Sequence, residues 1–468
     1  MDSSDIPARS VPYFDFSSAR NVFAEEENFS GYSAAAPRNF QRYAEDVSKM
    51  NMELIRSLNF AERAVTGSKY TEKIFYPENE QTSVALLVQS GSTETKKEKA
   101  EKVYSGEHCN VFFVQNGDCT ATKSNLSSVF KTLGNLFDKK IFPNITDILG
   151  KFTYSTQYPN IITCPEKVNI VVADLYYDWK QSKNGGVYGY YWGEDFFKNS
   201  ANQNAIIYLD SYFLSGESPE SVYSTMAHEF NHMLNFMNKT LKSGRKYSTW
   251  YTEMLSALAD AMFENYLVEN LKESASIAYQ RIPYFNTWHN LGFSTWRNGT
   301  DFYPSGDVYI SYGNVFAFGN FLAKNYGEFE LIKEIATNSN VDEESVVQAV
   351  REVSGKSGIQ FEDILKDFSC VQITNYQDDT SLPTLNRKVV YSKNEAICLP
   401  AIKSDKIIPR GYNAFYPDSA LCSRNKPFSP VVLGQYGFLI YGYDEEISSI
   451  RAYYDPDYKA FAYTVAGE

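Results

Sequence analysis

The chain has 468 residues, 43% hydrophobic and 22% charged, so at roughly 150 residues per domain it is globular with room for about three domains. Its formal charge of -13 repels nucleic-acid phosphates, and no basic stripe reverses that, which excludes nucleic acid as a partner. No apolar run approaches the roughly 20 residues that cross a bilayer, which excludes a membrane span.

Residues 1–65 read as an irregular polar leader and then one helix, because Phe40, Tyr43, Val47, Met50 and Leu54 recur at helical spacing. Met1 to Arg9 lacks the basic-then-apolar pattern of a signal peptide. Residues 66–125 read as a small β module, in which Ser83 to Gln89 and Asn110 to Val114 are strands and the Lys-rich stretch near Lys96 to Lys102 separates them. Residues 126–385 carry a helix from Ser127 to Phe137, then strands at Val168 to Ala173, Val187 to Trp192 and Ala205 to Leu209. Two long helical patterns follow, Ser221 to Asn238 and Ser248 to Leu267, so strands precede helices in an α+β arrangement. Residues 386–468 return to Tyr-rich runs such as Gly437 to Tyr441 and Ala460 to Val465, which read as a C-terminal β domain. The six cysteines show no two-residue gap, so cysteine does not hold a metal. Disulfides such as Cys109 with Cys119, or Cys398 with Cys422, would fit an exported protein, and free thiols a cytosolic one; export is the preferred expectation.

The sharpest signal is His228-Glu229-Phe230-Asn231-His232, an H-E-x-x-H pentapeptide holding half of the four histidines; chance predicts about 2 in a thousand for such a chain. Ser218 is the expected N-cap, Pro219 suits the first helical position, and Val222, Met226, Phe230 and Leu234 form an apolar stripe, so the segment is a helix. His228 and His232 then lie one turn apart on one face and can point at one cation, while Glu229 can reach a water on it. Catalytic zinc takes three protein ligands and leaves one position for water. A metzincin would need Gly at 235 and His at 238, where this chain has Asn235 and Asn238. A gluzincin needs a Glu on a second helix, and Glu253 stands near the start of the next amphipathic one. Asp260 lies two turns further along the same face, where it can accept the second ring N–H of a ligating histidine and fix its tautomer.

HEFNH, TWYTEMLSALAD and SYGNVFAFGNFLAKNYG together resemble the hyicolysin-type branch of the gluzincin metallopeptidases, bacterial secreted or surface proteins, over roughly Val168 to Gly327. The resemblance implies a thermolysin-like catalytic domain, a mixed sheet plus a helical subdomain; the smaller β-rich N-terminal and C-terminal domains that flank it are read from the strand patterns above. It implies one zinc ion per chain, and an edge strand at Tyr190, Tyr191 and Trp192 that pairs with the substrate backbone. It also implies a Tyr or His that stabilises the tetrahedral oxyanion, for which Tyr312 is the first candidate and His289 the second. Asp260 stands where the aminopeptidase branch keeps a carboxylate, whereas the thermolysin-type position is Ala257 here.

The expected activity is therefore endopeptidase cleavage of protein or peptide substrates outside the cell or at its surface, with Glu229 as general base. An aminopeptidase is less favoured, because no G-A-M-E-N type segment precedes His228. The alternative from another class is a catalytically silent or latent surface binding protein that keeps the fold. Calcium is a further option at Asp378 with Asp379, although no EF-hand loop is present.

Overall fold

The structure is a computed structural model that describes residues 49–56, 72–89, 91–156, 158–180, 182, 186–216, 219–267, 277–294, 296, 308–374 and 383–402. Residues 49–56 are helical and are called α1. Six strands then form one mixed sheet: β1 (Gln81–Leu87), β2 (Thr95–Ser105), β3 (Cys109–Phe113), β4 (Val168–Ala173), β5 (Gly189–Tyr191) and β6 (Ile206–Asp210). Their order across the sheet is β1-β2-β3-β4-β6-β5. The pairs β1/β2 and β2/β3 are antiparallel, β3, β4 and β6 run parallel, and β5 returns antiparallel to β6 at the edge.

All six residues of β4, Val-Asn-Ile-Val-Val-Ala, are buried, as a strand covered on both faces requires. Val168, Ile170 and Val172 enter the core shared with the helices, while Val171 and Ala173 enter a second core with Phe112, Tyr190 and Tyr208. The polar member, Asn169, is satisfied by its neighbours, accepting from Asn110 Nδ2 at 3.1 Å and donating to Asn204 Oδ1 at 2.9 Å.

Two expectations change here. The Lys-rich stretch is not a spacer but the strand β2, paired on both sides. It offers no apolar alternation because only Thr95 and Ala100 are buried; its lysines lie along neighbours instead, with Lys102 Nζ 5.8 Å from the Phe112 ring centroid and Lys96 paired to Glu98 at 2.7 Å. The module expected over 66–125 consequently has no sheet of its own, since β3 continues into β4 from Cys109↔Val168 to Phe113↔Val172. The C-terminal domain expected over 386–468 is described only to residue 402, as a short hairpin of β7 (Val389–Val390) and β8 (Cys398–Leu399). The strands expected at Gly437 to Tyr441 and Ala460 to Val465, the calcium option at Asp378 and Asp379, and most of the leader lie outside the described residues.

Helices α2 (Ser127–Leu136) and α3 (Phe142–Ile148) link β3 to β4, and a short α4 (Ser211–Ser215) follows β6. The helical half comprises α5 (Glu220–Asn235), α6 (Thr249–Leu267), α7 (Ile277–Trp288), α8 (Val308–Tyr326), α9 (Glu328–Thr337), α10 (Asp342–Ser354) and α11 (Phe361–Thr374). Helix α5 packs on β5, β6 and α6, and α8 packs on α6 and α7. At Gly313 the backbones of α8 and α7 approach so closely that a Cβ would stand 2.6 Å from the Arg281 carbonyl oxygen, which sets Tyr312 deep between helices. After α5 the chain widens into a π turn, Phe236–Leu241, that buries Lys239. Its Nζ donates to the carbonyl oxygens of Ile335, Asn338 and Asn340 at 3.0, 2.8 and 2.7 Å, which satisfies the loop between α9 and α10. No described helix is long and apolar enough to cross a membrane.

Candidate metal centre and cleft

Helix α5 begins just after Pro219, whose dihedrals (φ -69, ψ -7) are already helical; the expected cap Ser218 lies outside the described residues. From the face that α5 turns to α6, His228 Nε2 and His232 Nε2 stand 3.0 Å apart, and Glu253 Oε2 lies 3.3 Å from the first and 3.5 Å from the second. A tetrahedral zinc ion with ligands at about 2.0–2.1 Å needs donor atoms about 3.3–3.4 Å apart, so the triangle suits that ion, and two imidazoles with one carboxylate are a suitable donor set.

The second nitrogen of each ring is also engaged. His228 Nδ1 is 2.8 Å from Asp260 Oδ2, and His232 Nδ1 is 2.9 Å from Thr252 Oγ1. With Nδ1–H donating outward, each ring keeps its Nε2 lone pair for a cation. Thr252 Oγ1 also accepts from Asn235 Nδ2 at 3.1 Å, and Asn231 Nδ2 donates to Ser256 Oγ at 2.8 Å. Thr252 escaped the sequence reading, although a signal was available: Thr252, Ser256 and Asp260 repeat every four residues in an otherwise apolar helix, a polar stripe facing the stripe of His228, Asn231, His232 and Asn235.

Burial lifts the Glu229 carboxyl to about 7, against the pull of His232 and His228, with Glu253 adding to the rise. Its Oε2 accepts a hydrogen bond from the backbone N–H of Tyr191 at 2.8 Å, which fixes it between β5 and the histidines. Burial opposes charge on His228, but Asp260, Glu253 and Glu229 outweigh it and raise its pKa well above the usual value. Burial likewise pushes Glu253 up, and the two histidines more than reverse this, holding it well below the carboxylate range.

These groups line a cleft of about 590 Å³ open to solvent, bounded by Gly189, Tyr190 and Tyr191 of β5 and by Tyr312 of α8. Tyr312 meets the Trp296 ring edge-to-face at 5.0 Å, and the Arg281 guanidinium lies 4.6 Å from its ring centroid. The two oxyanion candidates part here. His289 does not line the cleft; it is 2% exposed beside Phe285, and burial lowers its pKa to about 4. Of the three edge-strand residues, Tyr190 and Tyr191 belong to β5, whereas Trp192 follows it and packs into the second core.

The helix expected on Phe40, Tyr43, Val47, Met50 and Leu54 is described at residues 49–56, but its place over the cleft has no counterpart among the sequence expectations. Helix α1 lines the same space with Asn51, Met52, Leu54 and Ile55, the last three buried. Asn51 Nδ2 donates to the Tyr191 carbonyl at 2.6 Å and Asn51 Oδ1 accepts from the Gly193 N–H at 2.8 Å. One side-chain amide thereby pairs with the outer edge of β5 as a neighbouring peptide group would.

Cys109, Cys119 and Cys164 are free thiols, which corrects the expected pairing of Cys109 with Cys119; the expected partner of Cys398, Cys422, lies outside the described residues. The Cys109 sulfur faces the Gly134 carbonyl oxygen at 3.8 Å instead.

Residues 91–402 match the family model described as Peptidase M30. The neutral metalloprotease ShpI of Staphylococcus hyicus is 25% identical over 343 residues, which is 70% of each chain.

Proposed function

Since the chain belongs to the peptidase M30 family and is accordingly a metallopeptidase, we propose that it is a zinc-dependent endopeptidase whose ion is held by His228, His232 and Glu253. The observation that carries this is the convergence of two Nε2 atoms and one Oε2 within 3.5 Å of one another, with the Glu229 carboxylate beside them. In this reading Asp260 and Thr252 hold the imidazoles in the ligating tautomer. A bound zinc ion supplies Lewis acidity, polarising the scissile carbonyl and bringing the pKa of water toward about 7.

Glu229 takes the proton of the attacking water and passes it to the leaving amine, a task suited to a carboxylate held beside the histidines by the Tyr191 N–H. The Tyr312 hydroxyl donates to the oxyanion of the tetrahedral intermediate; its place on the cleft wall favours it over His289. The substrate backbone pairs with the outer edge of β5, and the peptide competes there with Asn51, so α1 moves aside before cleavage. Leu54→Asp, which puts a charge into the buried face of α1, accordingly raises casein turnover several-fold. A thermolysin-like arrangement and a location outside the cell or at its surface belong to this reading on the resemblance alone, because the free thiols lend the location no support.

The test is to assay zinc content and casein cleavage of the full chain and of Glu229→Gln. One zinc per chain in both, with cleavage only by the unaltered protein, supports the proposal. Zinc without cleavage in either, even after Leu54→Asp, favours a binding protein that keeps the fold. Neither protein taking up zinc sinks the ligand assignment.

A further inference from the structure

At the carboxyl ends of the parallel strands, away from the histidines, three aspartates crowd together. Asp174 follows β4, Asp210 ends β6 directly opposite Ala173, and Asp178 closes the tight turn after β4. Each offers a carboxylate oxygen, and the three oxygens lie within 4.8 Å of one another. Asp174 is 0% exposed and Asp210 1% exposed, so two carboxyls are sealed beside a third.

The three are not equally provided for. Asp210 Oδ1 accepts from the backbone N–H groups of Tyr212 and Phe213, and its Oδ2 accepts from Leu175 N–H. Asp178 Oδ1 accepts from Ser182 Oγ at 2.7 Å. Neither oxygen of Asp174 accepts a hydrogen bond; the N–H groups of Asp178 and Trp179 lean toward it without reaching hydrogen-bond geometry. The next charge nearby, Asp118, is also acidic, and Lys180 is paired to it at 2.8 Å rather than to the three. A fully buried carboxylate with no protein donor costs several kcal/mol unless a cation or a proton compensates it.

We propose that Asp174, Asp178 and Asp210 bind a calcium ion. All the donors are hard oxygens, without the nitrogen or sulfur that zinc prefers. Calcium accepts six to eight oxygens at about 2.3–2.6 Å, so two of its ligand oxygens can stand up to about 5 Å apart, which covers the observed span. Gly117, in the turn after β3, keeps the space above Asp174 open: a Cβ there would sit 2.5 Å from Asp174 Oδ2. Asp178 is half-buried and gives the ion its route from solvent. Trp179 follows Asp178 directly in the chain and packs edge-to-face on Tyr212 at 5.1 Å, which offers a chromophore to sensitise a bound lanthanide. Bound calcium would tie the exits of β3, β4 and β6 together, next to the Tyr188 carbonyl that accepts from Asp210 N–H and leads into β5.

The experiment uses the full chain, zinc-loaded and carrying Glu229→Gln to prevent self-digestion, and follows terbium emission on excitation of tryptophan together with thermal unfolding. Terbium emission should appear and be displaced by calcium, and calcium should raise Tm by several degrees over a calcium-free buffer. Asp178→Asn should weaken calcium binding by at least about tenfold. Asp174→Asn should raise Tm in the calcium-free buffer, because it removes the buried charge, and abolish the calcium response. A Tm indifferent to excess calcium, or a calcium response that survives Asp178→Asn, overturns the proposal; since Asp178 is half-buried, that variant remains informative if Asp174→Asn misfolds.

Discussion

His228, His232 and Glu253 come from two helices lying side by side, whereas Asp174, Asp178 and Asp210 come from the ends of neighbouring parallel strands. In the first cluster both rings are steadied through the atom that does not face the cluster, by Asp260 and Thr252. In the second, backbone N–H groups steady Asp210, a serine hydroxyl steadies Asp178, and Asp174 has no hydrogen-bond donor. Helical packing thus delivers candidate ligands whose rings are held by further side chains, while strand ends gather carboxyls that the fold provides for unequally.

Four changes test that contrast, in order of falling effect. Glu253→Ala removes a proposed ligand, so zinc content should drop well below one per chain and casein cleavage should vanish, while the terbium signal of the aspartate cluster persists. Asp260→Asn should lower zinc affinity or activity by about 10- to 100-fold with the fold intact, measured by competition with a chelator. Thr252→Val, which takes away a neutral partner of His232, should cost about tenfold or less in the same assay; an effect equal to that of Asp260→Asn would mean that charge is not what distinguishes the two rings.

The smallest effect concerns a third buried acid that the protein does satisfy. Asp195 accepts from Tyr208 Oη at 2.6 Å and Asn202 Nδ2 at 3.0 Å. Burial raises it to about 7, the donors Tyr208, Asn202 and Ser200 restrain the rise, and Glu194 adds to it. Because its folded pKa lies above the unfolded value of about 3.9, it holds its proton longer in the folded state. Its contribution is therefore present at low pH and lost as pH climbs through about 7. Tm measured from pH 4 to 7 should decline less steeply in Asp195→Asn, with an unchanged response to calcium.

The helices α5 and α6 were legible because their information is periodic and local. His228 to His232 is one turn, the apolar stripe marks α5, and Glu253 stands near the start of the next helical run, which the structure buries on every described side rather than on one face. Asp260 was singled out from the same periodicity, and its Oδ2 lies 2.8 Å from His228 Nδ1. What could not be read depends on pairing between distant segments. Nothing in Thr95 to Ser105 announces β2, because its neighbours on either side, and not its own side chains, keep it in the sheet. The spacing of Asp174 and Asp210 carries no periodic signature, and only the alignment of β4 with β6 brings them together. The position of α1 over β5 rests on contacts between residues 51 and 191–193, which no local pattern encodes.

Lys239 sets a limit on how the molecule can be divided. Its hydrogen bonds reach across to Ile335 in the last turn of α9 and to Asn338 and Asn340 in the loop after it, and the Tyr251 hydroxyl of α6 donates to the same Ile335 carbonyl at 2.7 Å. A fragment ending at Gly327 would keep every candidate zinc ligand yet lose the carbonyls that hold Lys239 and Tyr251 and bare the apolar faces of α3 and α8 that α9 covers. The smallest autonomous unit therefore extends beyond the motif-bearing helices through α9 and α10, and a minimal protease cut closer than that should be recovered as insoluble material.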